Sequence, residues 1–179
     1  MPKYIAFLRA INVGGHTVKM DRLRQLFEAL GHANVETIIA SGNVIFDSTS
    51  KSPPSLEKKI AAHLQESLGY EVATFIRTPS ELAAIAQYKP FSTADLNAAH
   101  ALYIGFLTGP PGTAAIKKLH SFANEFYDFH VQSREIYWLC RKKFSASEFT
   151  GKDLEKTLGM ATTLRNATTV RKIVGRFSG

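Results

Sequence analysis

Tyr4-Ile5-Ala6-Phe7-Leu8 near the start of the chain and Tyr103-Ile104-Gly105-Phe106-Leu107 match residue for residue in type, at an offset of 99. Both read as short apolar β-strands, rich in β-branched and aromatic residues. Each is followed by a glycine-containing loop, a helical pattern and a hairpin pattern, so the match reads as an internal repeat, which organises the rest of the chain.

After the first strand, Gly14-Gly15 marks a loop. Leu23, Leu26, Phe27 and Leu30 then recur at helical spacing, with Gly31 as the stop. Val35 to Ala40 and Val44 to Asp47 read as two strands around Gly42-Asn43, a hairpin turn pair. Leu56, Ile60, Leu64 and Leu68 mark a second helix closed by Gly69, and Glu71 to Arg77 a fourth strand. This β-α-β-β-α-β order over about 75 residues is the split-βαβ plan. A helix over Pro79 to Gln87 leads to the second half. There the expectation is strands at Ala101–Leu107, Glu125–Gln132 and Arg134–Cys140, and helices at Thr113–Phe122, Gly151–Leu158 and Ala167–Phe177. The second copy shows no clear fourth strand. The fold class expected is therefore α+β, with two ferredoxin-like halves related by an internal repeat and the second modified by C-terminal helices. The expected boundaries are 1–78 for the first half, 79–99 for a helical linker and 100–179 for the second half.

Both faces of the first strand are apolar: Tyr4, Ala6 and Leu8 on one, Ile5 and Phe7 on the other. An antiparallel sheet with one wet face would alternate, so the face without helices is expected to be buried, against the other half or a partner subunit. The chain has no aromatic-glycine signature of the kind that RNA-binding modules of this topology use for stacking.

The composition is that of an ordinary globular chain: of 179 residues, 45% are hydrophobic and 21% charged, which excludes disordered and collagen-like classes. One cysteine, Cys140, leaves no internal disulfide, and no stretch is long and apolar enough to cross a membrane; the expectation is a reduced, cytoplasmic protein without membrane association. The net charge of +7 is uneven: residues 1–90 hold ten basic and eight acidic groups, residues 91–179 twelve and seven. Arg165, Arg171, Lys172 and Arg176 follow one another with no acid between them. Such a surface attracts phosphates and other anions, though a charge run is also what any solvated helix face carries.

In a split-βαβ unit the loop after the first strand and the hairpin between the second and third share one sheet edge. That edge collects Arg9, Asn12, Gly14, Gly15, His16, Ser41 and Asn43. Glycines ahead of a helix expose N–H donors, Arg9 offers a bidentate fork, and the asparagines both donate and accept. Plain turn chemistry explains the same residues, with Arg9 paired to an acid such as Asp47. Arg165 and Asn166, ahead of the last helix, form a second candidate, for anion binding or for simple capping by Asn166 or Thr168. Six scattered histidines lack metal-ligand spacing, so no metal or other cofactor is expected. His130 and Asp128, two apart on one strand face, fit an acid–base couple or a half-buried polar pair. Cys140, in an apolar run, lacks the surroundings of an activated thiol.

Three stretches carry a family resemblance. Phe7-Leu8-Arg9-Ala10-Ile11-Asn12-Val13-Gly14-Gly15 with Lys19-Met20 and Leu23 resembles the opening signature of the bacterial domain of unknown function 1697 family. Ser41-Gly42-Asn43-Val44-Ile45-Phe46 resembles its second signature, and Thr163-Leu164-Arg165-Asn166 with Thr169-Val170 its third. Ala10 stands where the family usually has Gly, and Ala167 where an aromatic often follows. The resemblance implies a cytosolic α/β protein with ferredoxin-like halves and implies no activity. The residues thus point first to a module binding an anionic ligand, either a small phosphate- or nucleotide-like molecule or nucleic acid. Alternatives are a metal-independent enzyme using Arg and Asn for electrostatic stabilisation, with His16 as the only base in the site, and a homodimeric interaction protein.

Overall fold

The computed structural model describes residues 1–9, 17–39, 42–142 and 149–177. It divides into two compact units, 1–83 with 177–179 and 84–176.

The first unit holds strands β1 (Lys3–Leu8), β2 (Ala33–Thr37), β3 (Asn43–Asp47) and β4 (Thr74–Arg77), with helices α1 (Met20–Ala29) and α2 (Pro53–Leu68). Helix α3 (Pro79–Gln87) begins in this unit and ends in the second. The second unit continues with α4 (Thr93–Ala98), β5 (Ala101–Phe106), α5 (Thr113–His120), β6 (Tyr127–Gln132) and β7 (Glu135–Cys140). It closes with α6 (Gly151–Leu158), β8 (Thr163–Asn166) and α7 (Ala167–Gly175). The chain is thus mixed α+β, with two four-stranded antiparallel sheets and seven helices among the described residues.

The sheet orders are β2-β3-β1-β4 and β6-β7-β5-β8. The repeated pentapeptides therefore form a central strand in each sheet, and their registers agree. Ile5 faces Ile45 and Arg77, while Ile104 faces Tyr137 and Arg165; Phe7 faces Asn43, while Phe106 faces Glu135. Buried polar residues occupy matching places as well: Arg77, Asn43, Arg165 and Glu135 are all at most 7% exposed.

The apolar periodicities place the helices. Leu23, Leu26 and Phe27 of α1 and Leu56, Ile60 and Leu64 of α2 pack with Tyr4, Ala6, Leu8, Val44 and Phe46 in one core. Gly69 ends α2 in the left-handed conformation that a side chain disfavours (φ 83°). In the second unit, Trp138, Phe129, Tyr127 and Phe149 form an aromatic core with Leu119, Leu154 and Leu158. On the opposite sheet faces Ile5, Phe7, Phe75, Ile104, Phe106 and Leu139 are also buried, as their two-sided apolarity predicts. In the second unit part of this cover is α3, whose Ile85 carbonyl accepts a hydrogen bond from Tyr137 Oη at 2.8 Å.

The structure corrects the reading of the second half. A fourth strand exists: β8 pairs with β5, Tyr103 opposite Asn166 and Phe106 opposite Thr163. Its four residues, Thr-Leu-Arg-Asn, carry no strand signal of their own, and pairing with the apolar β5 makes them a strand. The short helix α4 was not expected either; Ser92 caps it by accepting from Asp95 N.

Gly105 takes the place in β5 that Ala6 takes in β1, facing the crowded side. A Cβ there would meet Thr162 Cγ2 at 3.0 Å and Leu164 Cδ2 at 3.3 Å. Gly105→Val is expected to destabilise by about 1–3 kcal/mol, as overpacking does. Urea denaturation followed by Trp138 fluorescence measures it; an unchanged midpoint would mean that β8 does not press on β5.

Candidate functional site

At the expected edge of the first unit, the end of β1 does lie beside the start of β3: Leu8 N donates to the Gly42 carbonyl at 2.9 Å. Arg9, half-buried, follows directly, its N–H donating to the Ala73 carbonyl. Asn12, Gly14, Gly15, His16 and Ser41 lie outside the described residues. Asn43 is the first residue of β3 rather than a turn residue; it is 1% exposed and its Nδ2 donates to the Ile38 carbonyl, bracing the hairpin. Asp47 is not the acid for Arg9. It sits at the other end of β1, where Lys3 Nζ at 2.8 Å and Asn34 Nδ2 at 2.7 Å hold its carboxyl below the usual carboxylate range. Ile39, in the same hairpin, is a β-branched residue at φ 57° and is 41% exposed, a conformation that nothing in its residue type predicts.

Arg165 and Asn166 are adjacent in sequence and separate in role, because neighbours in a strand point to opposite faces. Arg165 turns to the sheet face that carries Ile104 and Tyr137, 7% exposed. Its Nη1 donates to Thr163 Oγ1 at 2.8 Å and to the Leu164 carbonyl at 2.9 Å, and burial lowers its pKa to about 10. It remains a cation at neutral pH, held within the sheet. Asn166 ends β8 and caps α7: its Oδ1 accepts from Thr168 N at 3.0 Å and Thr168 Oγ1 at 2.9 Å.

Asn166 also lines a cleft of about 440 Å³ in the second unit, with Lys89, His100, Ala167, Thr168 and Arg171 among its walls. Lys89, His100 and Arg171 bring basic side chains to it, Asn97 and Asn166 bring amides, and among the described residues no Asp or Glu lines it. The first turn of α7 opens onto it, so the N–H groups and the helix dipole add to the positive field. Lys89, His100 and Arg171 are exposed and make no ion pair among the described residues. Sequence reading named Asn166 and Arg171 but missed Lys89, in the stretch taken as a linker, and His100, the first residue of the expected second half.

The remaining sequence candidates resolve otherwise. His130 Nε2 is 2.8 Å from Tyr88 Oη, and Asp128 instead accepts from Phe129 N, so no His–Asp couple forms. Cys140 is buried, its thiol pushed up to about 11 by desolvation, which suits packing rather than nucleophilic attack. Among the described residues no three His, Cys, Asp or Glu gather as a metal site, and no helix is long and apolar enough to cross a membrane.

A family model described as "Protein of unknown function (DUF1697)" matches residues 1–137. No curated protein matches the chain. A solved conserved bacterial protein from Streptococcus pneumoniae is similar in fold, with a TM-score of 0.77 and 23% identity, over 100% of this chain and 99% of its own.

Asn166→Ala is expected to lose about 1 kcal/mol through the missing cap, whereas Asn166→Asp, which keeps the acceptor and favours the helix dipole, is expected to lose little. Chemical denaturation of both variants decides this: equal losses would show that Asn166 matters to β8 rather than to α7.

Proposed function

We propose that this chain, which belongs to the DUF1697 family, is a binding module for a small anionic ligand, held in the cleft at the N-terminus of α7. The observation that carries the reading is the basic lining of that cleft: Lys89, His100 and Arg171 line it without a carboxylate among the described residues. Its volume of about 440 Å³ suits a mononucleotide, sugar phosphate or dicarboxylate. A concave site favours such ligands over nucleic acid, which would ask for an extended cationic track with stacking aromatics. Arg165 is committed within its sheet, and Arg171, one helical stretch later, is the arginine that faces the ligand. We also infer that the two units are ferredoxin-like halves of an internal duplication. Their shared element order, the shared sheet order and the matching registers of Ile5 with Ile104 support this. A cytoplasmic address is supported by the single, buried cysteine.

Thermal-shift titration with mononucleotides and dicarboxylates tests the ligand reading. A ligand at a hundred times its Kd adds about 2.7 kcal/mol, which for a chain of this size raises Tm by roughly 5–10 °C. The double variant Lys89→Ala/Arg171→Ala is expected to abolish the shift. A short oligonucleotide binding more tightly, with a steep fall in salt, would replace the small ligand with nucleic acid. No shift with any anion, or a shift that the double variant keeps, would reject the cleft.

A further inference from the structure

The first unit holds a second polar pocket, far smaller, of about 90 Å³. Its walls include His32, Ser48, Ser50, Ser55 and Lys59, and no carboxylate among the described residues. His32 is 9% exposed, its ring lies 4.7 Å from that of Phe46, and its buried Nε2 has no hydrogen-bond partner among the described residues. A buried ring nitrogen without a partner is costly, and natural structures rarely leave one so unless something else fills the space beside it.

The surroundings state what that something would be. Lys59 and Ser55 stand in the first turns of the 16-residue α2, whose N-terminal residue Ser52 makes no side-chain cap. Pro53 and Pro54 have no N–H to give, so the Ser55 N–H is the first free donor of the helix. The hydroxyls of Ser48 and Ser50 already accept, from Ser50 N at 3.1 Å and Ser52 N at 3.2 Å, so each keeps its O–H proton to donate. The polar side chains of the pocket are therefore donors and one cation, at the N-terminal end of α2, while Leu30 and Gly31 at the C-terminal end of α1 form another wall. Burial and the Lys59 charge lower the His32 pKa, so its imidazole is neutral at pH 7 and able to donate or to accept.

We propose that this pocket is a binding site for a single phosphate group, with Lys59 as the counter-charge, Ser48, Ser50 and Ser55 as donors, and His32 as the buried contact. A volume of about 90 Å³ has room for one tetrahedral oxyanion. The site is independent of the α7 cleft, since all its residues belong to the other unit.

The test is a titration of the intact protein with inorganic phosphate at constant ionic strength. It is read on the imidazole proton resonances, with the His32 signal assigned by its loss in His32→Gln. The expected result is a saturable shift of the His32 signal and a raised His32 pKa in the bound form. Lys59→Gln, a change on the exposed side of the helix, is expected to weaken binding at least tenfold and Ser55→Ala several-fold. Glycerol phosphate is the second arm: equal binding would identify the ligand as a phosphate ester, weaker binding as the free ion. The Lys89→Ala/Arg171→Ala variant is expected to keep the His32 response, which separates this site from the α7 cleft. No saturable shift would mean that water alone fills the pocket, and an unchanged affinity in Lys59→Gln would mean that phosphate acts elsewhere; either overturns the proposal.

Discussion

From Tyr4 onward strand β1 has no solvent face. Every residue from Tyr4 to Leu8 is at most 3% exposed, and β3 beside it is buried from Asn43 to Phe46. A one-residue slip would exchange the two faces completely, moving Tyr4, Ala6 and Leu8 out of the α1–α2 core. Because each face is packed differently, the register is fixed twice over. Everything placed at the ends of this strand, Arg9 at one and the Lys3–Asp47 pair at the other, takes its position from that constraint. The same holds for β5, where Gly105 gives the room that β8 needs.

Polar groups on such a strand pair's dry face cannot be incidental, since burying a charge without compensation costs several kcal/mol. Arg77 and Arg165 stand at corresponding registers, and each donates Nη1 to the carbonyl of the residue before it at 2.9 Å. An arginine fits this task better than a lysine: its planar fork reaches back to its own backbone and still has further N–H groups to direct elsewhere. Such residues stabilise one arrangement of the sheet. They are poor candidates for a ligand that must come and go.

The sequence made the central strands and most helices legible because their signals are local and redundant. Helix α3 runs from Pro79 to Gln87 and α6 from Gly151 to Leu158, where the pattern puts them, since caps and periodicity agree. Strand β8 was hidden because Thr163, Arg165 and Asn166 look like a polar lead into a helix. Its strand character comes wholly from β5. For the candidate site, residue type alone located Asn166 and could not tell its capping oxygen from a ligand contact. Lys89 and His100 come from a segment with no motif, and only the fold brings them to Asn166. The buried His32 is a similar case: it follows Gly31 with no motif around it, and its lack of a partner among the described residues can be seen only in three dimensions.

The charge surplus of residues 91–179 takes on a different meaning once burial is known. Arg165 contributes little to the outer field, being enclosed in its sheet, while Arg171, Lys172 and Arg176 are exposed. A surface charge in water is screened within about 8 Å at physiological salt, so a loose cationic face exerts little specific pull. Arg171 differs from Lys172 and Arg176 in lining a concavity shared with Lys89, His100 and the first turn of α7. There the low-dielectric walls and the N–H groups act on the same small volume, and attraction that would be diffuse on a convex face becomes directional. It is this convergence, rather than the net charge of +7, that distinguishes the cleft from the ordinary basic surface around it.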